Sequence, residues 1–567
     1  MKKELYDKTV NRIADLVKLW NESKVYLVGG CVRDSILKEE IKDIDLMIDL
    51  EDGPQIFCQW LRQENLAKDF AFYPKYGTSK FTLIVENENV PIECVMPRRE
   101  TYEEGPRKPD SVEYASIKED AYRRDFCCNA LYQDVCTLEL LDLTERGLED
   151  IKTKTLRTPL PSEQTFIDDP LRMLRAFRFW AEKGFTIHPS VYSKIKPYKE
   201  YFQLSMERVR VEFGRIIRTE RASEIIRALH ERELLGYIIP EFEEAWGFNQ
   251  NSHYHSMNLT DHSLSVLDYI ISKDERVRMA ALLHDISKYQ RWKVKENGEF
   301  SFHGHDKESA ELSVKILQRL KYSTEDIRVV KKLISEHMRI KSLRNSEGLY
   351  NGSKKTTRKI IRDLGDELEL CLDLINADNN SHAPEYNMPK QVESFKVAIS
   401  ELGEIPVAKD CPVSGDDIMR KFGLKPGPII KEIKDIMADW LDEDPSLNSN
   451  QLVEKLGEEY GGKGIWVWNS KEGDILCIAE SESEKLPYKI KGHIKSDQKE
   501  WWKAIEHPKV YTAVKNSKKS RAIFYEAGEK LKEFKDLPGF KHVKIQVDLY
   551  GNISGAIEWE GQETDII

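Results

Sequence analysis

LVGGCVRDSILKEEIKDIDLMIDL, residues 27–50, is the stretch on which the reading of this chain turns. An apolar run, Val25–Val28, meets Gly29-Gly30, and Arg33-Asp34 opens a short helix-like segment. A second apolar run carries Asp43 and Asp45. Side chains at i and i+2 of a strand share a face, so both carboxylates project together and offer a site to a hard cation such as Mg²⁺. The glycine pair lets backbone N–H groups approach a phosphate closely, and Arg33 adds a planar cationic fork. A phosphate-gripping backbone followed by a paired-carboxylate metal site is what two-metal phosphoryl or nucleotidyl transfer requires. The bland alternative is a turn and a strand whose acids face water. What lies downstream decides between them.

A chain of 567 residues is too long for one core, so several domains are expected. The net charge of −11 argues against a wholly basic nucleic-acid binder but leaves room for local basic grooves. No run approaches the roughly 18 apolar residues of a membrane span, and the charged N-terminus lacks the apolar core of a secretory signal. Nine scattered cysteines show no paired framework, which points to a reduced, cytoplasmic setting.

Val10, Ile13, Leu16, Val17 and Trp20 have helical spacing and predict an amphipathic lead-in helix. Strand-like runs follow at 80–86 and 90–96. In the second, Glu93 has apolar neighbours on both sides and reads either as a third carboxylate or as a solvent-facing residue of an edge strand. Residues 97–120, rich in charge, proline and glycine, predict a mobile loop. Then YRRDFCCNALYQD (122–134) places Arg123, Arg124, Asp125 and Asn129 just before an apolar strand. From about 163 the pattern is helical almost to 445. In DDPLRMLRAFRFWAEKGF (168–185), Asp169 and Arg172 are three apart and are expected on one helical face. A carboxylate beside a guanidinium there could meet a base edge or simply form a surface ion pair. In SMERVRVEFGRII (205–217), Glu207, Arg208 and Arg210 read as brace or surface.

In this order, GGCVRD…DIDL, RRDFCCNA, DDPLRMLRAFRF and MERVRVE resemble the class II tRNA nucleotidyltransferases, the CCA-adding enzymes and their poly(A) polymerase relatives. The likeness covers about residues 20–220 and continues more weakly through GDDIMRKFGLKPGP (415–428). It implies that Asp43 and Asp45 are catalytic and hold Mg²⁺. It places Gly29, Gly30, Arg33 and Asp34 around the triphosphate of CTP or ATP, and Arg124, Asp125 and Asn129 on its ribose and phosphates. Asp169 and Arg172 become an amino-acid template for the incoming base, with Arg175 on the same helix. The family usually has Glu-Asp where this chain has Asp168-Asp169. Poly(A) polymerases tend to carry a glycine–basic–basic–phenylalanine block that YPKYGTSKFTL (73–83) lacks, and the long 97–120 loop resembles an element that A-only adders shorten. Both features favour CCA addition to tRNA over A-only or poly(A) addition.

Eight of the thirteen histidines fall between 253 and 382. His262, His284-Asp285, His305, His337 and Asp378 are imidazole and carboxylate ligands spread over separate helices, a mixture suited to one or two transition metals with positions open to water. Their order resembles the HD phosphohydrolase superfamily. By that resemblance the site takes one or two divalent ions (Mn, Ni, Co, Fe or Mg) and hydrolyses phosphoesters such as 2′,3′-cyclic or 2′-phosphate ends. A rival reading makes this the working enzyme and the head an RNA-holding module.

Basic stretches at 352–362 and 487–521, the latter with Trp501, Trp502 and Tyr511 interleaved, read as RNA contacts or as lysine-rich surface. The expected chain is thus multidomain. An α/β nucleotidyltransferase head (1–150) leads into a helical nucleotide- and RNA-binding neck (151–245). An HD domain (246–400), a helical body and tail (401–460) and a small α+β C-terminal appendage (461–567) follow.

Overall fold

The computed structural model describes residues 1–101, 111–254, 256–402, 412–422, 428–444 and 447–460, and beyond these six strands between 465 and 558. They divide into two compact units, Met1–Asn351 with Asp366–Ser394, and Gly352–Gly365 with Phe395–Ile567. No described helix is long and apolar enough to cross a membrane.

The first unit opens with α1 (Lys3–Trp20), whose apolar stripe buries Tyr6, Val10, Ile13, Leu16, Val17 and Trp20 and packs on the head sheet. Next come β1 (Val25–Val28), α2 (Gly30–Leu37), β2 (Ile44–Ile48), α3 (Gly53–Gln63), β3 (Lys68–Tyr73), β4 (Thr78–Val85) and β5 (Glu88–Val95). β6 (Arg98–Thr101), β7 (Ser111–Tyr114), α4 (Ile117–Arg123), β8 (Leu131–Asp134), β9 (Leu140–Asp142) and α5 (Gly147–Thr153) complete the head. Seven strands form one sheet in the order β3-β4-β5-β2-β1-β8-β9. β2 and β5 run parallel, and the other neighbours pair antiparallel. Trp20, Phe57 and Phe81 pack ring to ring beneath it, at 5.0 Å and 6.1 Å.

Two expectations change here. β5 lies between β4 and β2, so Glu93 is not on an edge strand. Residues 97–120 are not one open loop. β6 and β7 form an antiparallel hairpin, with 102–110 outside the described residues, and α4 starts at a capping box. There Ser116 Oγ accepts from the Glu119 N–H at 3.2 Å, and Glu119 Oε2 accepts from the Ser116 N–H at 3.0 Å.

The neck comprises α6 (Ser162–Asp168), α7 (Leu171–Lys183), α8 (Pro189–Ile195), α9 (Met206–Ile217), α10 (Ala222–Glu231), α11 (Leu235–Ile238) and α12 (Pro240–Glu244). The HD region follows as α13 (Leu259–Tyr269), α14 (Glu275–Leu283), α15 (His305–Arg319), α16 (Thr324–Glu336) and, after an excursion into the second unit, α18 (Leu368–Asn379). The helical run is broken by a hairpin pairing Lys293–Val294 with Phe300–Ser301. Asp169 also departs from expectation. It sits between α6 and α7 with extended backbone (φ −147°, ψ 98°), so it does not share a helical face with Arg172.

Head and neck are joined by a continuous ladder of charges. Lys183 donates to Asp34 at 3.0 Å, Asp34 accepts from Arg33, and Arg33 donates to Asn129. Asn129 donates to Asp125 at 2.8 Å, and Asp125 accepts two bonds from Arg175 at 2.8 Å and 2.6 Å. Arg175 reaches Glu212 at 3.5 Å, Glu212 pairs with Arg178, and Arg178 reaches Glu182 at 2.9 Å.

The second unit contains α17 (Lys354–Leu364), most of α19 (Gln391–Ser400), α20 (Gly415–Phe422), α21 (Pro428–Glu443) and α22 (Ser449–Tyr460). Ile418, Ile433, Met437, Trp440, Leu452 and Leu456 form its core. The strands Arg521–Ile523, Val510–Asn516, Ile475–Glu480, Ile465–Ser470, Phe540–Val547 and Ile553–Glu558 make, in that order, an antiparallel sheet. The described residues of the 461–567 appendage are thus all strand, and Trp501 and Trp502 lie outside them.

The ladder makes a stability prediction. Glu212 and Arg178 are both buried. Removing one partner of such a pair leaves an uncompensated charge, so Glu212→Ala is expected to cost about 3 kcal/mol in chemical denaturation. A loss under about 0.5 kcal/mol, the usual size for a surface change, would mean that the ladder is dispensable.

Candidate functional site

The head site forms where β1 turns into α2. Gly29 has φ +70°, a left-handed conformation that favours glycine, and a Cβ there would stand 3.1 Å from Arg124 Nη1 and 4.0 Å from Asp45 Oδ2. Gly30 begins α2, so that helix's first free N–H groups rise beside the carboxylates. Asp43 immediately precedes β2 and is exposed, whereas Asp45 lies within the strand, half-buried. In the parallel register Asp45 is paired with Glu93, and across β4 Glu93 is paired with Lys80, whose ammonium meets its carboxylate at 2.8 Å. Burial and the neighbouring Glu93 push the Asp45 carboxyl up to about 6 against the pull of Arg124. The carboxylates of Asp43, Asp45 and Glu93 supply the kind of oxygen donors that a hard divalent ion takes, with Arg124 beside them as a counter-charge.

The other sequence-derived residues of the head are brought together, largely as braces. Arg33 binds Asp34 and Asn129, with its guanidinium over the Phe179 ring at 4.9 Å. Arg124 donates to Asp120 at 3.0 Å and to the Tyr132 hydroxyl at 3.2 Å. Burial would raise the Asp125 carboxyl, but Arg175 and the Asn129 amide overcome it and hold Asp125 well below the usual carboxylate range. Asp169 and Arg172 do not pair with each other. Arg208 donates to both Asp169 oxygens at 3.1 Å and 2.9 Å, while Arg172 donates to the carbonyls of Arg123 and Thr165. Arg208 and Asp120 are thus partners that spacing alone did not assign.

The second site lies among α13, α14, α15, α16 and α18. His262 is on α13, His284 and Asp285 follow α14, His305 opens α15, His337 follows α16 and Asp378 is near the end of α18. Three triads, His262–His284–Asp285, His284–His337–Asp378 and Asp285–His305–His337, each gather their ligand atoms within 4.8 Å. Every one of these histidines places Nδ1 against a backbone carbonyl: Ser381, Ala281, Phe302 and Ile334 in turn, at 2.6–3.1 Å. The Nδ1–H is thereby fixed as donor, and the Nε2 lone pairs converge on the centre.

Asp285 Oδ1 is buried with no hydrogen bond, and its carboxyl is held far below the usual range because His284 and Lys288 outweigh the cost of burial. An orphaned, ionised carboxylate oxygen facing imidazole nitrogens fits one or two transition-metal ions. Three more polar groups crowd this centre: Lys288, 2.6 Å from Asp285; Lys341, on Asp378; and His382, whose Nδ1 meets the Asp378 carbonyl at 2.7 Å. None was singled out by sequence. For Lys288 and His382 the signal was the spacing, three residues beyond Asp285 and four beyond Asp378, which are single-turn separations; Lys341 lies 37 positions from Asp378 and had no such signal.

A twisted sheet bearing paired carboxylates beside a glycine-turned helix defines the head as that of a nucleotidyltransferase, and the buried histidine–aspartate centre defines an HD domain. Comparison with known proteins agrees. Residues 25–157 match the Poly A polymerase head domain, 253–394 the HD domain, and 184–245 a region described as a probable RNA- and SrmB-binding site of polymerase A. The tRNA nucleotidyltransferase cca1 of Schizosaccharomyces pombe is 26% identical over 464 residues, covering 76% of this chain and 90% of that one. The A-adding tRNA nucleotidyltransferase of Deinococcus radiodurans is 28% identical over 337 residues, covering 57% and 75%. The fold is shared with the Bacillus stearothermophilus CCA-adding enzyme in complex with CTP, at 20% identity and TM-score 0.54 over 80% of this chain and 98% of that one. The chain thus carries a Poly A polymerase head domain and an HD domain, and over three quarters of its length it is similar to a tRNA nucleotidyltransferase.

Two predictions follow from the geometry. Because Asp125 is held low, its pairing with Arg175 stabilises the fold fully above the ordinary carboxylate value of about 4 and is lost as pH falls below it. Arg175→Gln is therefore expected to move the midpoint of acid unfolding, followed by circular dichroism, to higher pH; an unmoved midpoint contradicts the pairing. Mn²⁺ or Ni²⁺ added to chelator-treated protein at 100 times Kd should stabilise the HD region by about 2.7 kcal/mol in calorimetry. Asp285→Ala should abolish that gain, and equal stabilisation of the variant would rule out the assigned centre.

Proposed function

We propose that the chain builds or repairs the 3′-terminal CCA of tRNA from CTP and ATP, without a nucleic-acid template. The observation that carries this reading is the juxtaposition of Asp43, Asp45 and Glu93 with Gly29 and Arg124 around the central strand of the head sheet. Asp43 and Asp45 hold the divalent ions, taken to be Mg²⁺, and Glu93 completes the acidic set. When bound, such ions supply activation of the attacking hydroxyl and neutralisation of the leaving group. The RNA 3′-oxygen forms a bond to the α-phosphorus, the bond from that phosphorus to the β-phosphate bridging oxygen breaks, and pyrophosphate and a proton leave. Gly29 and Gly30 let the triphosphate approach the start of α2. Arg124, Arg33 and Asn129 offer it donors, and Asp120, Asp34 and Asp125 respectively hold those donors in place.

Asp169 and Arg172 serve as the template for the incoming base. Arginine suits the task because its fork carries five N–H donors. Two are anchored on the carbonyls of Arg123 and Thr165, so the remainder can be aimed. Arg208 fixes the Asp169 carboxylate and so sets which pattern is presented.

The HD centre is a phosphohydrolase site for 2′,3′-cyclic or 2′-phosphate ends, loaded with Mn, Ni, Co, Fe or Mg. Its mixed nitrogen and oxygen donors suit the transition metals of that set better than Mg. Hydrolysis there returns a damaged end to a usable hydroxyl before CCA repair. The seven cysteines recorded among the described residues are free thiols, in keeping with the cytoplasmic setting that we propose.

Incubating the protein with tRNA lacking CCA, Mg²⁺ and each labelled nucleotide tests the head. Two C additions and one A, then arrest, are expected. A alone or open-ended A runs would reassign it to A-adding or poly(A) synthesis. Asp43→Ala and Asp45→Ala should each slow addition on the order of 10²-fold or more. Parental rates from folded variants would sink the proposal.

A further inference from the structure

A group of aromatic side chains stands at the HD centre and belongs to neither ligand set. Asp378 begins the segment that builds it. Within four residues of Asp378, the Ser381 carbonyl receives Nδ1 of His262, and His382 packs its ring 5.5 Å from that of His262. The chain then turns outward through a single 3-10 turn, Pro384–Tyr386. Ala383 donates its N–H to the carbonyl of Tyr254 at 3.0 Å, which ties this segment to the loop before α13. Tyr254 and Tyr386 meet edge to face at 4.8 Å, and His253 lies 3.9 Å from Tyr254 and 5.2 Å from Tyr386.

These rings are not buried as a core would bury them. Tyr254 keeps 40% of its surface and the His253 side chain a similar share. The backbone bond from Ala383 already joins the two loops, so burial of the rings is not needed for that purpose. His253 is oriented from behind by Glu299, with Nδ1 and Oε1 2.7 Å apart. An exposed aromatic face, steered by a hydrogen bond and one short turn from a metal-ligand segment, has the form of a platform for a flat apolar group.

We propose that His253, Tyr254 and Tyr386 form a base-stacking subsite, which makes the HD centre selective for phosphoesters that carry a nucleobase. The proposal rests on the reading of that centre as a phosphohydrolase. A phosphate held at the ligand cluster would leave its nucleoside directed along the 382–386 turn, and a purine or pyrimidine offers the π-face that such rings accept regardless of sequence. In hydrolysis of a 2′-monophosphate, a water oxygen bonds to phosphorus, the bond from phosphorus to the 2′-oxygen breaks, and that oxygen leaves with a proton as the nucleoside 2′-hydroxyl.

The test uses the full chain with Mn²⁺ and two readouts. In the first, kcat/KM is measured for adenosine 2′-monophosphate and for glycerol 2-phosphate, a phosphomonoester without a base. We expect the ratio of the two to fall about tenfold, the size of one base–aromatic stack, in Tyr254→Ala and in Tyr386→Ala, through KM rather than kcat. Tyr254→Phe should restore the parental ratio. A ratio unchanged in both alanine variants overturns the proposal, as does a wild-type enzyme that handles both substrates equally. In the second readout, 5-iodouridine 2′-monophosphate is photocrosslinked and the modified peptides are mapped by mass spectrometry. Labelling of the peptides that contain Tyr254 or Tyr386 supports the subsite even if neither phosphoester is hydrolysed, in which case the phosphohydrolase reading alone fails. Labelling confined to head peptides overturns the subsite.

Discussion

The structure of the first unit depends on the rule that a buried charge must be paired. Beginning at Lys183 and ending at Glu182, acids and bases alternate through Asp34, Arg33, Asp125, Arg175, Glu212 and Arg178, with the neutral Asn129 amide bridging Arg33 to Asp125. The buried charges share partners along it, and removing one withdraws part of the compensation from its neighbours. The ladder runs from the start of α2 in the head to α7 and α9 in the neck. The same contacts that join the two regions also position the donors beside Gly29. Joining and positioning are therefore one property.

At the two centres the rule is deliberately left incomplete. Asp45 shares its space with Asp43 and Glu93, and burial first, then these like charges, push its carboxyl upward. Asp285 leaves one buried oxygen without a hydrogen bond. Elsewhere such arrangements would be costly; where a divalent ion is to bind, they are the donor set. The backbone meets the same need in the HD region, where four carbonyls fix the Nδ1 side of four histidines and leave the Nε2 side to the centre.

Local spacing made much of this legible. Apolar residues recurring at helical intervals announced α1, and the apolar run around Asp45 announced β2, although Asp43 falls just before that strand rather than in it. The capping box at Ser116 and Glu119 could also have been read, and it would have replaced the undivided loop at 97–120 with a hairpin and a helix. Other features escaped because their cause is not local. The three-residue spacing to Arg172 alone put Asp169 on the same helix. Its extended backbone is accompanied by a long-range bond to Arg208, 39 positions away. Glu93 looked like an edge residue because nothing in its own strand tells which neighbours will flank it.

What the sequence settled by itself is therefore the inventory and its short-range order: two acids one residue apart where a strand begins after a glycine turn, an HD pair ending an apolar helix, and the register of amphipathic faces. Backbone geometry fixes these within a few residues, through periods of 2.0 and 3.6. The tertiary structure alone decided the partnerships: Glu93 beside Asp45, Arg175 on Asp125, and Lys341 against Asp378. Such pairings join residues far apart in the chain, and which pairs form depends on strand order, helix packing and the energetic demand that every buried charge find a counterpart.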